Sequence, residues 1–574
     1  MDKHGVANML SEVAMLLELK GENPFKVRAY ENASRAIDNL TDDLAGLVAE
    51  GKLTSIKGIG RNIADHIAEI MKSGTFKEYD ELRSKVPEGV VQILSIPGLG
   101  PKRVKYLWEE LRIKSPGELE MVCKRHMIDG LPGFGEKMEK NILAGIESLK
   151  RFAGQRLFSD AAAEARAVHD AVKLWPEVAR SEVAGSIRRR KEIVRDIDIL
   201  VSTRDPAKVM DRFVHLPGIE RVVQHGDTKS EVVLSSGIQC DLRAVKDGEY
   251  PFALHYFTGS KEHNVAMRLL AKKAGLKLNE YGLFRGASKK SIACMDEAGI
   301  FKALGLEYIE PELRENTGEI EAAAKAKLPK LVEEGDLKGV IHAHSNYTDG
   351  SASIEGMAKA ARSLGYSYLA ITDHSKAVTI AHGMKPADVK RQHKEIDALN
   401  GKLNGFRVLK GIEVDIMAGG ELDFDDDILA TFDIVIAAVH SRFGMNEKDM
   451  TDRIVKAISN PYVCILAHPT GRLLLAREGY AVDMKKVIDT AAGHGTAIEI
   501  NAHPSRLDLD WRWCKYAKER GAKMAICPDA HQPEGLVDVA YGVGIARKGW
   551  LEKGDVLNCL GVDALIKHFR KTKG

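Results

Sequence analysis

From Leu337 onward, seven short apolar runs recur, and each stops at a polar cluster: GVIHAHS, YLAITDHS, RVLKGIEVD, DIVIAAVHS, VCILAHPT, AIEINAHPS and MAICPDAH. Helical patterns such as IEGMAKAARSLG and DMKKVIDTAAGHG separate many of them. Few folds accept that rhythm. Near-continuous apolar strands with helical crossovers predict a parallel sheet buried on both faces, and this many of them predict barrel-like closure. In such a barrel, functional side chains gather at the C-terminal strand ends. His, Asp and Glu stand at those positions here, and 11 of the 19 histidines fall within residues 337–574.

The remainder of the chain is organised differently. At ~150 residues per domain, the 574 residues predict three to four domains. An apolar fraction of 44%, with 84 basic residues against 82 acidic, excludes a disordered chain. No apolar run approaches ~18 residues, so no membrane span is expected. The first 25 residues carry acids inside their apolar stretch and do not read as a signal peptide. Seven scattered cysteines without a C-x-x-C pair predict a reducing cytoplasm and argue against a disulfide framework or a zinc ribbon.

Residues 1–150 read as helices joined by three similar turns: Ile56-Lys57-Gly58-Ile59-Gly60, Ile96-Pro97-Gly98-Leu99-Gly100 and Leu131-Pro132-Gly133-Phe134-Gly135. A Gly-apolar-Gly turn that opens a helix leaves backbone N–H groups free to take phosphate oxygens. One such turn is no more than a packing device, but three together predict a clamp on a DNA backbone. With 22 basic and 23 acidic residues, this region is no polycation. DNA binding through it must rely on amides and local patches.

Residues 151–315 switch to strands, read at EVAGSI, DIDILVS, IERVVQHG, EVVLSSGIQCDLRAV and PFALHYFTGS, with helices between and after them. In a strand, Asp196 and Asp198 point to one face. Asp241, in a later strand, is a third candidate to hold two Mg²⁺ ions with them. Gly185 and Ser186, followed by Arg188 and Arg189, offer amide, hydroxyl and guanidinium donors for a triphosphate.

AGSIRRRKEIVRDIDIL resembles the nucleotidyltransferase motif of the family X DNA polymerases, and HYFTGSKEHNVAMR and LNEYGLF match further motifs of that family in order. The resemblance, with the Gly turns, covers roughly residues 1–315. It implies that Asp196, Asp198 and Asp241 bind Mg²⁺ or Mn²⁺ and that Gly185, Ser186 and Arg189 meet the triphosphate. It makes Tyr256, Phe257 and Gly259 the sugar-sensing turn, sets Asn264 against the nucleotide and lays Arg268 over the template strand. DNA would be held at Gly58, Gly60, Gly98, Gly100, Gly133 and Gly135. Two positions depart from the family. Arg195 replaces the Gly common before the first catalytic Asp, and His66, with Asn62 nearby, stands where the animal enzymes carry a Schiff-base lysine. Imidazole forms no such Schiff base, so no lyase activity is carried over.

In the last segment, His342, His344, Asp349, His374, Glu413, His440, His468, Asp529 and His531 end successive strands or follow them closely. Imidazole and carboxylate together suit Zn²⁺, Mn²⁺ or Fe²⁺. His342 and His344 are expected two apart in one strand, facing the same side. His382, His393, His494 and His568 read as ordinary histidines, with His393 on a solvated helical face, and His503 stays open. The pattern H-x-H, D-H, E, H, H, D-x-H resembles the PHP family in order. That implies a distorted seven-stranded barrel holding two to three metals, with Glu413 as a bridging ligand.

A family X core followed by a PHP domain implies a DNA repair polymerase that fills short gaps. Its PHP half would be a 3′-5′ exonuclease or 3′-phosphatase that also cuts at abasic sites. The expected architecture is an all-α helix-hairpin-helix region over 1–90, a helical fingers-like domain over 91–150 and an α/β nucleotidyltransferase palm over 151–245. A thumb over 246–315, a charged linker with helical character over 316–336 and a distorted (β/α)7 barrel over 337–574 complete it. Gapped or nicked DNA and dNTPs are the expected partners of a cytoplasmic monomer. Two alternatives stay open: a DNA-clamped PHP nuclease with weak or lost polymerase activity, and a small-molecule phosphatase fused to a DNA-binding module.

Overall fold

A computed structural model describes residues 3–572 except 39, 41–43, 97, 132 and 287. The chain divides into two compact units, 1–153 and 154–574.

In the first unit the described elements are helices, built on one apolar cluster that runs from Val6 to Ile146. The three Gly turns share one construction. Gly58, Gly98 and Gly133 adopt φ of 97°, 88° and 81°, a region a side chain disfavours. The next residue, Ile59, Leu99 or Phe134, is buried and closes the turn by donating its N–H to Ile56, Ile96 or Leu131. Gly60, Gly100 and Gly135 then cap the helices Arg61–Ser73, Pro101–Glu109 and Glu136–Phe152. Pro97 and Pro132, within the expected turns, lie outside the described residues.

The second unit opens with a five-stranded sheet in which Asp196–Thr203 and Gln239–Val245 run parallel. The segment PFALHYFTGS is not the strand its sequence suggests but the helix Tyr250–Thr258. Tyr250, Pro251, Phe252, Ala253, Leu254, His255 and Thr258 are all buried. A helix buried on every side shows no 3.6-residue period, so its apolar run is indistinguishable from a strand until it packs. The charged stretch 316–336 carries the short helix Glu319–Ala324 and packs into the unit, burying Glu319, Ile320, Ala323, Leu331 and Val332.

Seven parallel strands follow in sequence order: Gly339–Ala343, Tyr368–Ile371, Arg407–Asp415, Ile434–Ala438, Ile465–Leu466, Ala497–Asn501 and Met524–Cys527. A bridge from Ala343 to Ala530 returns the last strand to the first, so the barrel nearly closes. Burial on both faces explains the near-continuous apolar runs. Along one strand Ile434, Ile436 and Ala438 join one core cluster, and Val435 and Ala437 join another. His342 and His344 do not alternate along one regular strand. The register shifts after Val340, His342 takes φ of 69°, and His344 lies one residue past the strand end.

Candidate active sites

In the five-stranded sheet, parallel register sets Asp198 beside Asp241 and Asp196 beside Gln239. Crowding of the acids shows in their protonation. Burial, with Asp196 and Asp241 adding to it, pushes the Asp198 carboxyl up to about 7. Burial and Asp241 raise Asp196 as well. Like charges held this close call for a cation, and an all-carboxylate donor set suits Mg²⁺ or Mn²⁺. Asp241 is engaged elsewhere: Lys229 Nζ lies 3.1 Å from Oδ2, and Gln239 Nε2 donates to Oδ1 at 2.9 Å. Among the described residues, these three carboxylates do not form one of the groups whose ligand atoms all lie within 4.8 Å.

Gly185, at φ 63°, packs its backbone against the Asp198 side chain; a Cβ there would stand 3.1 Å from Asp198 Cγ. Ser186 follows on the short helix Gly185–Arg188, and Arg195 is exposed beside Asp196. Arg188 binds the Thr258 hydroxyl at 2.6 Å and Glu297 at 2.6 Å. Arg189 is buried, donating to the Thr258 carbonyl and, at 3.0 Å, to Glu315 Oε1.

Tyr256 and Phe257 end the helix that Gly259 terminates at φ 73°, and Arg243 stacks 4.4 Å over the Phe257 ring. Asn264 Nδ2 donates to the Tyr256 carbonyl at 2.7 Å, while its buried Oδ1 has no partner. Arg268 sits one turn past Asn264 on the next helix, Lys261–Lys273, Nε 3.3 Å from the Asn264 carbonyl.

Around the mouth of the barrel, eight of the nine predicted residues converge in one group of four, His344, Asp349, His374 and His531, and two triads, His342–His344–Asp529 and His374–Glu413–His440, with ligand atoms in each within 4.8 Å. The ninth, His468, reaches the same place with Nε2 3.1 Å from Glu413 Oε1. Glu413 is the centre. Its carboxylate lies 3.5 Å from His342, 3.6 Å from His344, 2.8 Å from His374 and 3.2 Å from His440. Burial alone would neutralise Glu413 and Asp529, but the surrounding imidazoles hold both well below the usual carboxylate range. Burial, with His531 and His374 close by, brings the His344 imidazole down to about 3.

These residues fit a bound metal on their own evidence. His342 Nε2, both ring nitrogens of His344, His374 Nδ1 and Glu413 Oε2 are buried without hydrogen-bond partners. So many orphaned donor atoms facing one another are costly unless a cation pairs with them. His342 at φ 69°, His468 at 24° and Asp529 at 54° also hold left-handed backbone that is rare for such residues and typical of strained functional sites. Asp349 and His531 stay partly exposed and form the open rim.

Sequence reading missed the residues that aim the imidazoles. Glu499 accepts from His342 Nδ1 at 2.5 Å and from the His468 backbone N–H, and Asp415 lies 3.1 Å from His440 Nδ1. Such partners fix the tautomer and turn the other nitrogen toward a metal. The signal was present: Glu499 is an acid between apolar residues of a buried strand, and Asp415 shares a strand face with Glu413. Asp373, beside His374, turns away to Ser345, Thr348 and Gln392.

His393 is not on a solvated face. It packs edge-on against Phe432 at 4.8 Å, because its helix lies against the barrel there. His503 sits at the rim, bonded to Ser505 at 2.8 Å, and neither it nor His382, His494 or His568 joins the triads. At the Gly turns, no side chain caps the three helices, and a Cβ on Gly60, Gly100 or Gly135 would meet nothing within 4 Å. The first-turn amides there are open to an approaching anion.

Comparison with known proteins follows the same division. The family model for the DNA polymerase beta thumb matches residues 253–315, and that for the PHP domain matches 341–503. A helix-hairpin-helix domain model matches 1–76, and a SAM-like helix-hairpin-helix tandem matches 90–148. The chain is 39% identical to the DNA polymerase/3′-5′ exonuclease PolX of Bacillus subtilis (strain 168), over 99% of this chain and 100% of that protein. It is 27% identical to DNA polymerase lambda of Rattus norvegicus, over 46% of this chain and 48% of the relative. A probable phosphatase of Thermoanaerobacter sp. (strain X514) is 33% identical over 33% of this chain and 74% of its own length.

Proposed function

Because the chain belongs to the bacterial family X DNA polymerases that carry a PHP domain, and so is a repair polymerase with a PHP exonuclease or phosphatase half, we propose how its residues divide the two chemistries. Residues 151–245 act as palm and 246–315 as thumb, adding dNTPs to gapped or nicked DNA held by the two helical regions, 1–90 and 91–150. Residues 316–336 join them to the phosphoesterase over 337–574.

Asp196, Asp198 and Asp241 would hold Mg²⁺ or Mn²⁺, which when bound activates the 3′-hydroxyl and stabilises the pyrophosphate leaving group. Gly185, Ser186 and Arg189 receive the triphosphate, and Tyr256, Phe257 and Gly259 sense the sugar. Asn264 presents its unpartnered Oδ1 to the nucleotide, and Arg268 lies over the template. The amides at Gly58, Gly60, Gly98, Gly100, Gly133 and Gly135 grip phosphates without reading sequence.

His342, His344, Asp349, His374, Glu413, His440, His468, Asp529 and His531 would hold two to three ions of Zn²⁺, Mn²⁺ or Fe²⁺. Bound there, such ions supply Lewis acidity at phosphorus and an activated water. Glu413, set beside His342 and His374, would be a ligand shared within this set, Glu499 and Asp415 fix the imidazoles, and the Asp349–His531 rim admits the 3′ end. The observation that carries this half is the convergence of unpartnered ring nitrogens on Glu413. The substrates are 3′ nucleotides, 3′-blocking groups and abasic sites. The protein works as a monomer in the cytoplasm, where thiols stay reduced. No described helix is long and apolar enough to cross a membrane.

The test is a gapped duplex with Mn²⁺ or Mg²⁺, with and without dNTPs. Asp198→Ala abolishes extension and keeps 3′ trimming, whereas His440→Ala does the reverse. Loss of both activities in either folded variant refutes the division.

A further inference from the structure

Arg189, assigned above to the triphosphate, is wired to the barrel. Its Nε donates to Glu315 Oε1 at 3.0 Å, and the same oxygen accepts Lys548 Nζ at 2.5 Å. Lys548 also donates to the Arg189 backbone carbonyl at 3.2 Å and to the Glu312 carbonyl at 3.5 Å. Its side chain is 0% exposed. The helix Val539–Lys548 that carries it is seated in the barrel core through Val539, Val543, Ile545 and Ala546. Next to it, Arg547 binds Glu312 at 2.7 Å, so the helix end is doubly tied to the last residues of the thumb.

A buried ammonium is retained only where its charge is paired. Here it shares one carboxylate with the guanidinium that the nucleotide needs. Lys548 and Arg189 are the two cations hydrogen-bonded to the Glu315 carboxylate. With both in place, the trio carries one excess positive charge beside the Gly185–Ser186 turn. Without Lys548 the buried carboxylate would pair with Arg189 alone and neutralise it. The bond to the Arg189 carbonyl adds a mechanical hold on the turn that packs against Asp198.

We infer that Lys548 is a positioning residue for nucleotide binding, contributed by the PHP barrel, which by sharing Glu315 keeps that carboxylate from cancelling the charge Arg189 offers the triphosphate. This rests on the assignment of Arg189 to the triphosphate. It makes the barrel part of the polymerase site and not only an attached nuclease.

The experiment is steady-state single-nucleotide insertion by the full-length protein, with 3′ trimming assayed on each preparation as a measure of folding. In Lys548→Met the dNTP KM rises on the order of tenfold, the weight of one charge-assisted hydrogen bond, while kcat stays within about twofold. Lys548→Met/Glu315→Gln returns KM to the native value or below, because Arg189 then has no carboxylate to neutralise it. A merely structural lysine would not be rescued by removing its partner. A folded Lys548→Met protein with native KM overturns the inference, as does a double variant with KM still raised. If Lys548→Met does not fold, Glu315→Gln decides: removing the shared carboxylate must bring KM below the native value, and an unchanged or raised KM overturns the inference. Arg189→Ala separates the two layers: an unchanged KM there refutes the triphosphate assignment itself, whereas a raised KM with no effect of Lys548→Met refutes only the role of the lysine.

Discussion

Replacing Gly185 by alanine is the sharpest test of the palm geometry. At φ 63° an added Cβ costs about 1–2 kcal/mol of backbone strain. The larger effect is local. The new methyl would stand 3.1 Å from Asp198 Cγ and 3.3 Å from its Cβ, with a carboxylate oxygen closer still. Asp198 cannot retreat freely, because its strand is paired on both sides, with Val178–Val183 and with Gln239–Val245. The carboxylate must therefore shift by on the order of 1 Å, a displacement that costs about 10²-fold where reacting groups are held in register. Gly185→Ala is thus expected to lower single-turnover gap filling by about 10²-fold, equal to about 3 kcal/mol of transition-state stabilisation. Trimming by the barrel should be unchanged, and the melting temperature should drop only by the strain. Gap filling within about threefold of the native rate would refute the reasoning, since a displaced carboxylate cannot leave the barrier intact.

Glu499→Gln should weaken Mn²⁺ or Zn²⁺ binding at the barrel by about 10–100-fold while leaving gap filling intact, because the glutamate orients His342 and holds the His468 backbone; calorimetric metal titration checks this, and an unchanged affinity contradicts it. Glu297 joins Arg188 and Arg314, and although burial would raise its carboxyl, the two guanidinium groups bring it down to about 2. A depressed carboxyl stabilises the fold above its unfolded pKa and loses that contribution as pH falls toward the folded value. Glu297→Gln should therefore cost about 3 kcal/mol at pH 7, and the gap in melting temperature from the native protein should narrow as pH falls from about 5 to 3. A gap independent of pH would show that the pair is not ionic.

Much of this protein is legible along the chain. A parallel barrel aligns its C-terminal strand ends, so ligands scattered over almost 200 residues announce themselves as a rhythm of apolar run and polar stop. The Gly turns are equally local, since each is one glycine at positive φ, one buried apolar residue and one helix start. Strand alternation places Asp196 and Asp198 on one face before any packing is known.

Other features depend on what lies far away in sequence. The run from Tyr250 to Thr258 is a helix buried at all but Tyr256 and Phe257, a condition no local pattern records. His393 sits in charged sequence, yet its ring packs against Phe432, just ahead of the strand Ile434–Ala438. Glu499 becomes a partner of His342 across 157 residues, and Lys548 meets Glu315 across 233. Local chemistry thus named the residue types able to bind metal, phosphate and nucleotide. Tertiary packing decided which buried charges pair, because pairing energy depends on distance and exclusion of water, and both exist only once the chain is folded.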